Sequence, residues 1–284
     1  MTQRRCWAKD MSHTIGFAIL SHEQPSQIIR LTTTLNKLFD NPPISIHHDQ
    51  SNSKLDASLL KSRSTHLVSD HVVTEWGRFS LVDGTMKALK LMKETTGLPD
   101  WIFVISASCY PVKPNSEFLR HLETTSHDAH IGHELIEPNN IHRPWHQICC
   151  ERYLNSDNHP FHTFFPCYAG SQWFHANRRS IEYLINFHER NPLLRQYYIN
   201  LEQQRGLIIP DESYCQTILA NNVSLSLSQN TKHLVDWSGP YGRPRTLEHD
   251  DLEILRASDC LFARKFDNAC SAQLLDALDE EIGI

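Results

Sequence analysis

The chain has 284 residues, of which 40% are hydrophobic and 21% charged, so it is long enough for one large α/β domain or two modest ones. Its 27 Lys and Arg residues against 33 Asp and Glu residues give a formal net charge of −6, which argues against nucleic acid as a partner. Any anion site must therefore be local, built from a few cations in one cleft.

The amino-terminal segment predicts a β-α-β unit. Residues 15–20 are a short apolar run typical of a buried parallel strand. Pro25 opens a helix with apolar residues on one face, and residues 44–49 form a second strand that ends in polar residues. A strand, a helix and a strand in this order predict a parallel sheet with a right-handed crossover.

The strongest signal for a buried strand lies at residues 101–105, after a predicted helix at 81–92. In open α/β sheets, ligands bind at the carboxyl ends of the strands. The polar residues that follow the three strands are therefore expected around one cleft: Ser21, His22, Asp49 and residues 106–110.

The carboxyl-terminal half predicts several helices and one more strand. The strand signal follows a turn at residues 170–174. Helical patterns recur at residues 117–123, 181–188, 211–220, 250–257 and 272–282. Residues 124–165 are polar and are predicted to form extended loops over the cleft, a usual place for recognition of an acceptor.

Residues 1–12 are predicted to form a flexible extension before a single domain over residues 13–284. Because no run of about 18 apolar residues occurs, we expect no transmembrane segment, while association with a membrane surface stays open. The basic start lacks the apolar region of a signal peptide. The eight cysteines are scattered apart from Cys149-Cys150, which favours reduced thiols.

Residues 262–267 place Arg264 and Lys265 between Phe262 and Phe266. The pattern predicts buried rings and two cations held at the rim. A guanidinium fork beside an ammonium suits a diphosphate. The alternative is an ordinary pair of solvated charges at the end of a strand or helix.

Asp211 and Glu212 follow Pro210 at a predicted helix start. Capping and the helix dipole alone would explain two acidic residues there. The functional alternative is that one carboxylate is a general base, for which Glu212 has the longer reach.

Three further positions have open interpretations. Asp49 could contact a ribose or base, or could simply end a strand in a turn. Arg78 could supply a cation to the cleft, or could belong to a loop anchored by Trp76. Trp237 could stack on a sugar, or could anchor its loop by burial.

No Asp-x-Asp triplet occurs, so we predict no metal at a diphosphate site and no cofactor. No P-loop or dinucleotide fingerprint occurs either. Arg245, Arg264 and Lys265 are the available substitutes for a metal. Among the 18 histidines, only the pairs at 130/133 and 159/162 approach ligand spacing, and neither has an obvious third ligand.

In order and spacing, these motifs resemble the core-2/I-branching β-1,6-N-acetylglucosaminyltransferases and peptide O-xylosyltransferases, glycosyltransferase family 14. The matching stretches cover nearly the whole chain: residues 15–22, 46–49, 76–80, 101–111, 170–174, 210–213, 244–246 and 262–267. The resemblance implies a GT-A-like α/β fold with a mixed, mostly parallel sheet. It also implies inverting, metal-independent transfer from a UDP-sugar.

The resemblance implies roles for individual residues. Glu212 looks like the family's catalytic base, and Asp49 looks like its uridine-side contact. Arg245, Arg264 and Lys265 look like its diphosphate-binding cations.

The other predicted contacts divide between the two substrates. Arg78 and Ser106 are assigned to the donor side, and Trp173 and Trp237 to the acceptor side.

Two departures from the family pattern are visible. Cys109 stands where the family usually has an Asp. The membrane anchor and disulfides of the animal members have no counterpart here, so the chain looks like a compact bacterial relative that works in the cytoplasm.

The sequence therefore predicts a transferase that moves N-acetylglucosamine or xylose to a hydroxyl of a glycan or related acceptor. The alternative is a catalytically degenerate module of the same fold that binds a glycan or nucleotide. A metal-dependent hydrolase built on the histidines is a third interpretation.

Overall fold

The computed structural model describes residues 13–137, 144–156 and 159–284, so the extension predicted at residues 1–12 lies outside the described residues. The strands are β1 (Ile15–Ser21), β2 (Ile44–His48), β3 (Thr65–Leu67), β4 (Trp101–Ser106), β5 (Tyr110–Pro111), β6 (Ala129–His130), β7 (Glu134–Leu135), β8 (Tyr168–Ala169), β9 (Phe174–Asn177), β10 (Leu227–Ser228), β11 (His233–Val235) and β12 (Phe262–Arg264). The α-helices are α1 (Pro25–Leu38), α2 (Ser80–Thr95), α3 (Asn115–Thr124), α4 (Pro144–Tyr153), α5 (Arg178–Arg190), α6 (Pro192–Arg205), α7 (Tyr214–Ala220), α8 (Leu252–Ala257) and α9 (Ala272–Ile282). Short 3₁₀ turns lie at Ala57–Leu59, Pro210–Glu212, Pro240–Gly242 and His249–Asp251.

A seven-stranded sheet forms the centre, in the order β3-β2-β1-β4-β9-β6-β10. Strands β1 to β4 are mutually parallel, β9 is antiparallel to β4 and β6, and β10 is parallel to β6. A smaller sheet joins β11, β12 and β5. The predicted α/β class, with a mixed and mostly parallel sheet flanked by helices, is confirmed.

Alternation along the strands divides the core into two layers. In β4, Trp101, Phe103 and Ile105 face the layer covered by α1, α3, α8 and α9. Ile102 and Val104 face the layer covered by α2, α4, α5, α6 and α7. Because both faces of the sheet are buried, the sequences of its parallel strands are continuous apolar runs.

Most helices form where the apolar period predicts them. In α1 the predicted face, Ile28, Leu31, Leu35 and Leu38, is buried. Helix α9 begins and ends where the tail pattern does, and it buries its leucines against the first layer. Tertiary packing of one apolar face thus accounts for both helices.

Three parts of the prediction need correction. Residues 124–165 are not only extended loops, because they contain α4 and short strands. The prediction did not include α6, although Pro192 opens it and its apolar residues recur at helical spacing. The single helix predicted at 211–220 is a 3₁₀ turn followed by α7, because Ser213 is non-helical between them.

Two observations concern membrane-spanning helices and disulfide bonds. No helix within the described residues is long and apolar enough to cross a bilayer. The seven cysteines within the described residues are all free thiols, as the sequence predicted.

Candidate active site

Asp211 and Glu212 lie in the 3₁₀ turn between α6 and α7. The backbone amide of Gly170 donates to the carbonyl of Glu212 at 2.8 Å. The side-chain amide of Gln216 donates to the carbonyl of Asp211 at 3.1 Å and to that of Ser171 at 2.8 Å. The turn is therefore fixed to the segment that leads into β9.

The environment of the two carboxyl groups favours their protonated forms. Burial raises the pKa of Glu212, and the positive charges of Arg152 and Arg264 oppose that shift in part. Burial and then the charge of Glu212 raise the pKa of Asp211 to about 7. Oδ1 of Asp211 is buried and has no hydrogen-bond partner. Glu212 is the more accessible of the two, and a carboxylate with a raised pKa is suited to accept a proton.

Arg152 of α4 forms an ion pair with Glu212, with Nη1 3.5 Å from Oε2. Sequence reasoning missed it, since the segment was interpreted as loop and the two residues are 60 positions apart. No motif around Arg152 distinguishes it from other surface arginines.

The aromatic bracket around Arg264 and Lys265 has the form that the sequence predicts. Phe262 and Phe266 are completely buried, while the two cations are half-buried at the rim. Strand β12 lies between β11 and β5, and the amide of Phe266 donates to the carbonyl of Ser108 at 2.9 Å. The bracket is thus attached to the carboxyl end of β4, where the cleft was expected.

The cations of the bracket are not held in close ion pairs, although the carboxyl groups of Glu212 and Asp267 are within electrostatic reach. Within the described residues, neither Arg264 nor Lys265 makes an ion pair within 4.0 Å. The guanidinium carbon of Arg264 lies 5.0 Å from the ring centroid of Trp173, and its Nε is buried with no hydrogen-bond partner. A buried donor without a partner has hydrogen-bonding capacity to offer an anion.

Trp173 was predicted to contact the acceptor, and its surroundings favour another role. It is 7% exposed, and one face of its indole carries Arg264. Trp173 lies three residues after Gly170, which packs against Gly132. A Cβ added to Gly170 would lie 2.0 Å from the carbonyl oxygen of Gly132. The indole therefore supports the guanidinium, held by a segment that packs backbone against backbone.

Arg245 was predicted to bind the diphosphate, but its donors are engaged by two carboxylates. Nη2 lies 2.8 Å from Asp236 and 2.7 Å from Asp251, and Nε and Nη1 make further bonds to the same pair. Hydrogen bonds from Ser238 and then from Arg245 lower the pKa of Asp236 to about 2. Bonding to Arg245 lowers the pKa of Asp251. The prediction is revised, since this arrangement favours a structural role in the loop.

Asp49 is buried at the end of β2 and has all its acceptor positions in use. Its carboxylate accepts from the amide and hydroxyl of Ser51 and from those of Thr74. Burial alone would raise the pKa of Asp49, but these hydrogen bonds hold it below its usual range. The contacts favour a residue that joins two loops over a free uridine contact, and the prediction is revised.

Arg78 pairs with acidic residues on both sides. Its guanidinium lies 3.6 Å from Glu75 and 3.8 Å from Glu202 of α6. Trp76 is 65% exposed, so it does not anchor this loop by burial.

Ser106 ends β4 at the expected cleft. Its hydroxyl lies 2.9 Å from that of Ser108 and 3.3 Å from the sulfur of Cys109. Cys109 is fully buried, and burial raises the pKa of its thiol, which is therefore neutral. Trp237 is 59% exposed, which fits a surface contact and not a buried loop anchor.

Within the described residues, neither histidine pair with ligand-like spacing lies together in a group of three possible metal ligands. Nδ1 of His133 bonds to the carbonyl of Ile131, and His162 bridges Phe165 in its own loop. His130 instead contacts histidines that are distant in sequence, His121 and His175.

The sequence of the chain is similar to those of known proteins. The family model of the Core-2/I-Branching enzyme matches residues 15–260, well over half of the chain. Xylosyltransferase 2 of Rattus norvegicus is 25% identical over 231 residues, which are 73% of this chain and 26% of the relative. Xylosyltransferase 1 of the same organism is 23% identical over 266 residues, covering 82% of this chain and 31% of the relative. The chain thus spans only 26–31% of the length of these curated relatives.

Two solved structures resemble the chain over nearly its whole length. A glycosyltransferase involved in glycosylation of the major capsid of PBCV-1 is 11% identical, with a TM-score of 0.42, covering 94% of this chain and 99% of its own. The galactosyltransferase LgtC, in complex with donor and acceptor sugar analogs, is 9% identical, with a TM-score of 0.45, covering 95% and 96%. At these TM-scores the likeness carries no argument about function.

Proposed function

The chain belongs to the Core-2/I-branching enzyme family, and we propose that it is a glycosyltransferase that moves a sugar from a UDP-sugar to an acceptor hydroxyl. The acceptor is a glycan or a related molecule, and N-acetylglucosamine or xylose is the transferred sugar. Transfer proceeds with inversion and without a metal at the diphosphate. The observation that carries the proposal is a carboxylate of raised pKa within electrostatic reach of an unpaired arginine.

Glu212 is the general base in this proposal. It removes the proton of the acceptor hydroxyl, and the oxygen attacks the anomeric carbon as the bond to UDP breaks on the opposite side. A sugar hydroxyl is a weak nucleophile until its proton is removed. Burial supports the assignment because it raises the proton affinity of Glu212, while Arg152 and Arg264 keep the charged form accessible.

Arg264 and Lys265 stabilise the leaving diphosphate. Negative charge develops on the phosphates as the glycosidic bond breaks, and prepositioned cations lower the energy of that state. A planar guanidinium held on an indole adds directional donors, and the ammonium adds a second charge. The two cations thus take the electrostatic role that a divalent metal has elsewhere.

Substitution of Glu212 by Gln tests the proposal directly. Removal of the base should lower the rate of transfer by about 10²–10⁴-fold, while the affinity for UDP, measured by calorimetry, stays within a few-fold of wild type. Glu182→Gln, an exposed change on α5, is the matched control. Transfer near the wild-type rate in a folded Glu212→Gln protein would refute the assignment of the base.

A module that binds a nucleotide sugar without turnover is the second candidate. The observation in its favour is Cys109, a buried neutral thiol at a position where the resemblance implies a carboxylate. A panel of UDP-sugars and glycan acceptors separates the two candidates by UDP release. Saturable binding of UDP without release from any donor would favour the module.

A further inference from the structure

Three imidazoles meet between α3 and the central sheet. His121 extends from α3, His130 from β6 and His175 from β9. Within the described residues they are the one group of three or more His, Cys, Asp and Glu side chains whose ligand atoms all lie within 4.8 Å of one another. Nε2 of His121 is 2.9 Å from Nε2 of His175. The transferase proposal uses none of the three.

The hydrogen bonds of the cluster assign the proton on His130. Its Nδ1 lies 3.0 Å from the carbonyl of Asn230, which can only accept, so Nδ1 carries the proton. Its Nε2 lies 2.8 Å from the hydroxyl of Thr125 and holds a lone pair. A histidine that ligates a metal typically donates its other ring nitrogen to a backbone carbonyl in this way.

His175 and His121 present two more ring nitrogens to each other. His175 is completely buried, and its Nδ1 has no hydrogen-bond partner. Since an Nε2···Nε2 contact uses one proton and one lone pair, one of these rings is always a donor to the other. A metal that accepts both lone pairs would replace this single bond by two ligand bonds.

We propose that His121, His130 and His175 form a binding site for a divalent transition metal of the zinc type. With Zn–N bonds of 2.0–2.1 Å, the nitrogens of a tetrahedral site lie about 3.3 Å apart, so the His121–His175 contact need open by only a few tenths of an ångström. His130 reaches the same centre by tilting its ring out of its stack on His175 and away from Thr125. Burial lowers the pKa of all three rings, which keeps them neutral and able to ligate.

A cleft of about 390 Å³ lies beside this cluster, although none of the three imidazoles lines it. Its lining includes Thr125 and His127, and also Trp101, whose ring packs on both His130 and His175. His121 itself is half-buried and reachable from solvent. Three protein ligands leave a fourth position for water, which can reach the cluster beside the half-buried His121.

The function of such a site is structural. It joins α3 to β6 and β9, which are otherwise held by packing and by short ladders. Its ligands come from three elements separated by loops, so the metal would stabilise the folded state over the unfolded one. The site is separate from the proposed transfer step, which needs no metal at the diphosphate.

The test uses untagged protein freed of metal by dialysis against a chelator. Zn²⁺ is titrated in competition with a chromophoric chelator, and one equivalent per chain is expected to bind. His121→Gln, a change at the half-buried ligand, should weaken binding by at least about tenfold, since even changes behind a ligand cost that much. His249→Gln, an exposed histidine on another element, is the matched control and should bind like wild type.

Two further measurements keep the test decisive if His121→Gln folds poorly. Wild-type protein loaded with Co²⁺ should show the intense visible bands of a tetrahedral site, and Zn²⁺ should raise its melting temperature. Equal affinity of wild type and His121→Gln, or no equivalent bound by wild type above weak surface binding, would overturn the proposal. None of these readouts uses transfer activity, so the metal site and the proposed function can fail independently.

Discussion

The same sequence argument marks Arg245 and Arg264 for a diphosphate, yet the two arginines have opposite surroundings. Arg245 donates to Asp236 and Asp251 with distances of 2.7–3.0 Å. Arg264 lies on Trp173 and has no ion pair in the part of the chain that the structure describes. Both are half-buried, so exposure does not distinguish them.

The ionisation of the neighbouring carboxyl groups explains the difference. The pKa values of Asp236 and Asp251 are lowered, so both are charged at neutral pH and neutralise Arg245. Burial raises the pKa of Asp211 to about 7, so this carboxyl group is only partly charged at neutral pH and opposes the charge of Arg264 less. A cation stays available to a ligand where its acidic neighbours are desolvated.

In the comparison of these two arginines, the largest expected effect is the loss of UDP binding when the cations of residues 262–267 are changed. Arg264→Gln should weaken UDP binding by about 10–100-fold, since a hydrogen bond to a charged group contributes about 1.5–3 kcal/mol. Lys265→Ala should lower UDP affinity and turnover in the same direction, with little change in folding. Calorimetry with UDP and a denaturant titration measure both quantities. Arg256→Gln, in an exposed ion pair, is the control.

Asp211→Asn should change the dependence of stability on pH. A carboxyl group whose pKa is raised in the folded state binds more protons there, so it lowers stability as pH rises from its unfolded pKa toward about 7. The substitution removes this loss, so the variant should be more stable at pH 8 by up to about 4 kcal/mol, and the difference should become small near pH 4. Denaturant titrations at both pH values measure it.

A difference of opposite sign in the free energy of unfolding at pH 8 would show that the environment of Asp211 is not the one described.

The rate of transfer should fall on the acid side at a higher pH than for a glutamate of ordinary pKa. The raised pKa of Glu212 keeps this base protonated, and therefore inactive, up to a higher pH.

Arg245→Gln should lower the stability of the fold and leave UDP affinity nearly unchanged. Arg264→Gln should have the reverse effect. The variant leaves Asp236 and Asp251 without their shared partner, so the melting temperature should fall by a few degrees. UDP affinity should stay within about twofold of wild type. A loss of UDP affinity as large as that of Arg264→Gln would return Arg245 to the donor site.

The smallest expected effect is that of a chelator on transfer. Activity in EDTA should equal activity in buffer, since the proposed mechanism uses cations of the chain in place of a metal at the diphosphate. The same assay on His121→Gln removes any influence of the proposed histidine site. Activity that disappears with EDTA and returns with Mn²⁺ in both proteins would contradict the metal-free mechanism.

The sequence correctly predicted those strands and helices whose positions follow from local patterns of apolar residues. The strand before Asp49, the strand before Ser106 and the tail helix follow from apolar runs and helical periods. The burial of Phe262 and Phe266 follows from the same logic.

Partners across the chain could not be predicted in this way. Arg152 meets Glu212 over 60 positions, and His121 meets His175 over 54. The carboxylates that neutralise Arg245 lie only six and nine positions away, but the loop conformation that turns them inward has no periodic signal. The charge state of a site therefore has to be determined from the tertiary structure, even where the residues of the site can be identified from the sequence.

The contact between Gly170 and Gly132 sets limits for anyone who would redesign this protein by mutagenesis. Any side chain at position 170 would collide with backbone atoms, 2.0 Å from an oxygen and 2.3 Å from a carbon, so the segment itself would have to shift. That shift would reach the turn of Glu212 through the hydrogen bond from the amide of Gly170. A mutant library should therefore keep position 170 as glycine and vary exposed positions such as Trp237, which is 59% exposed.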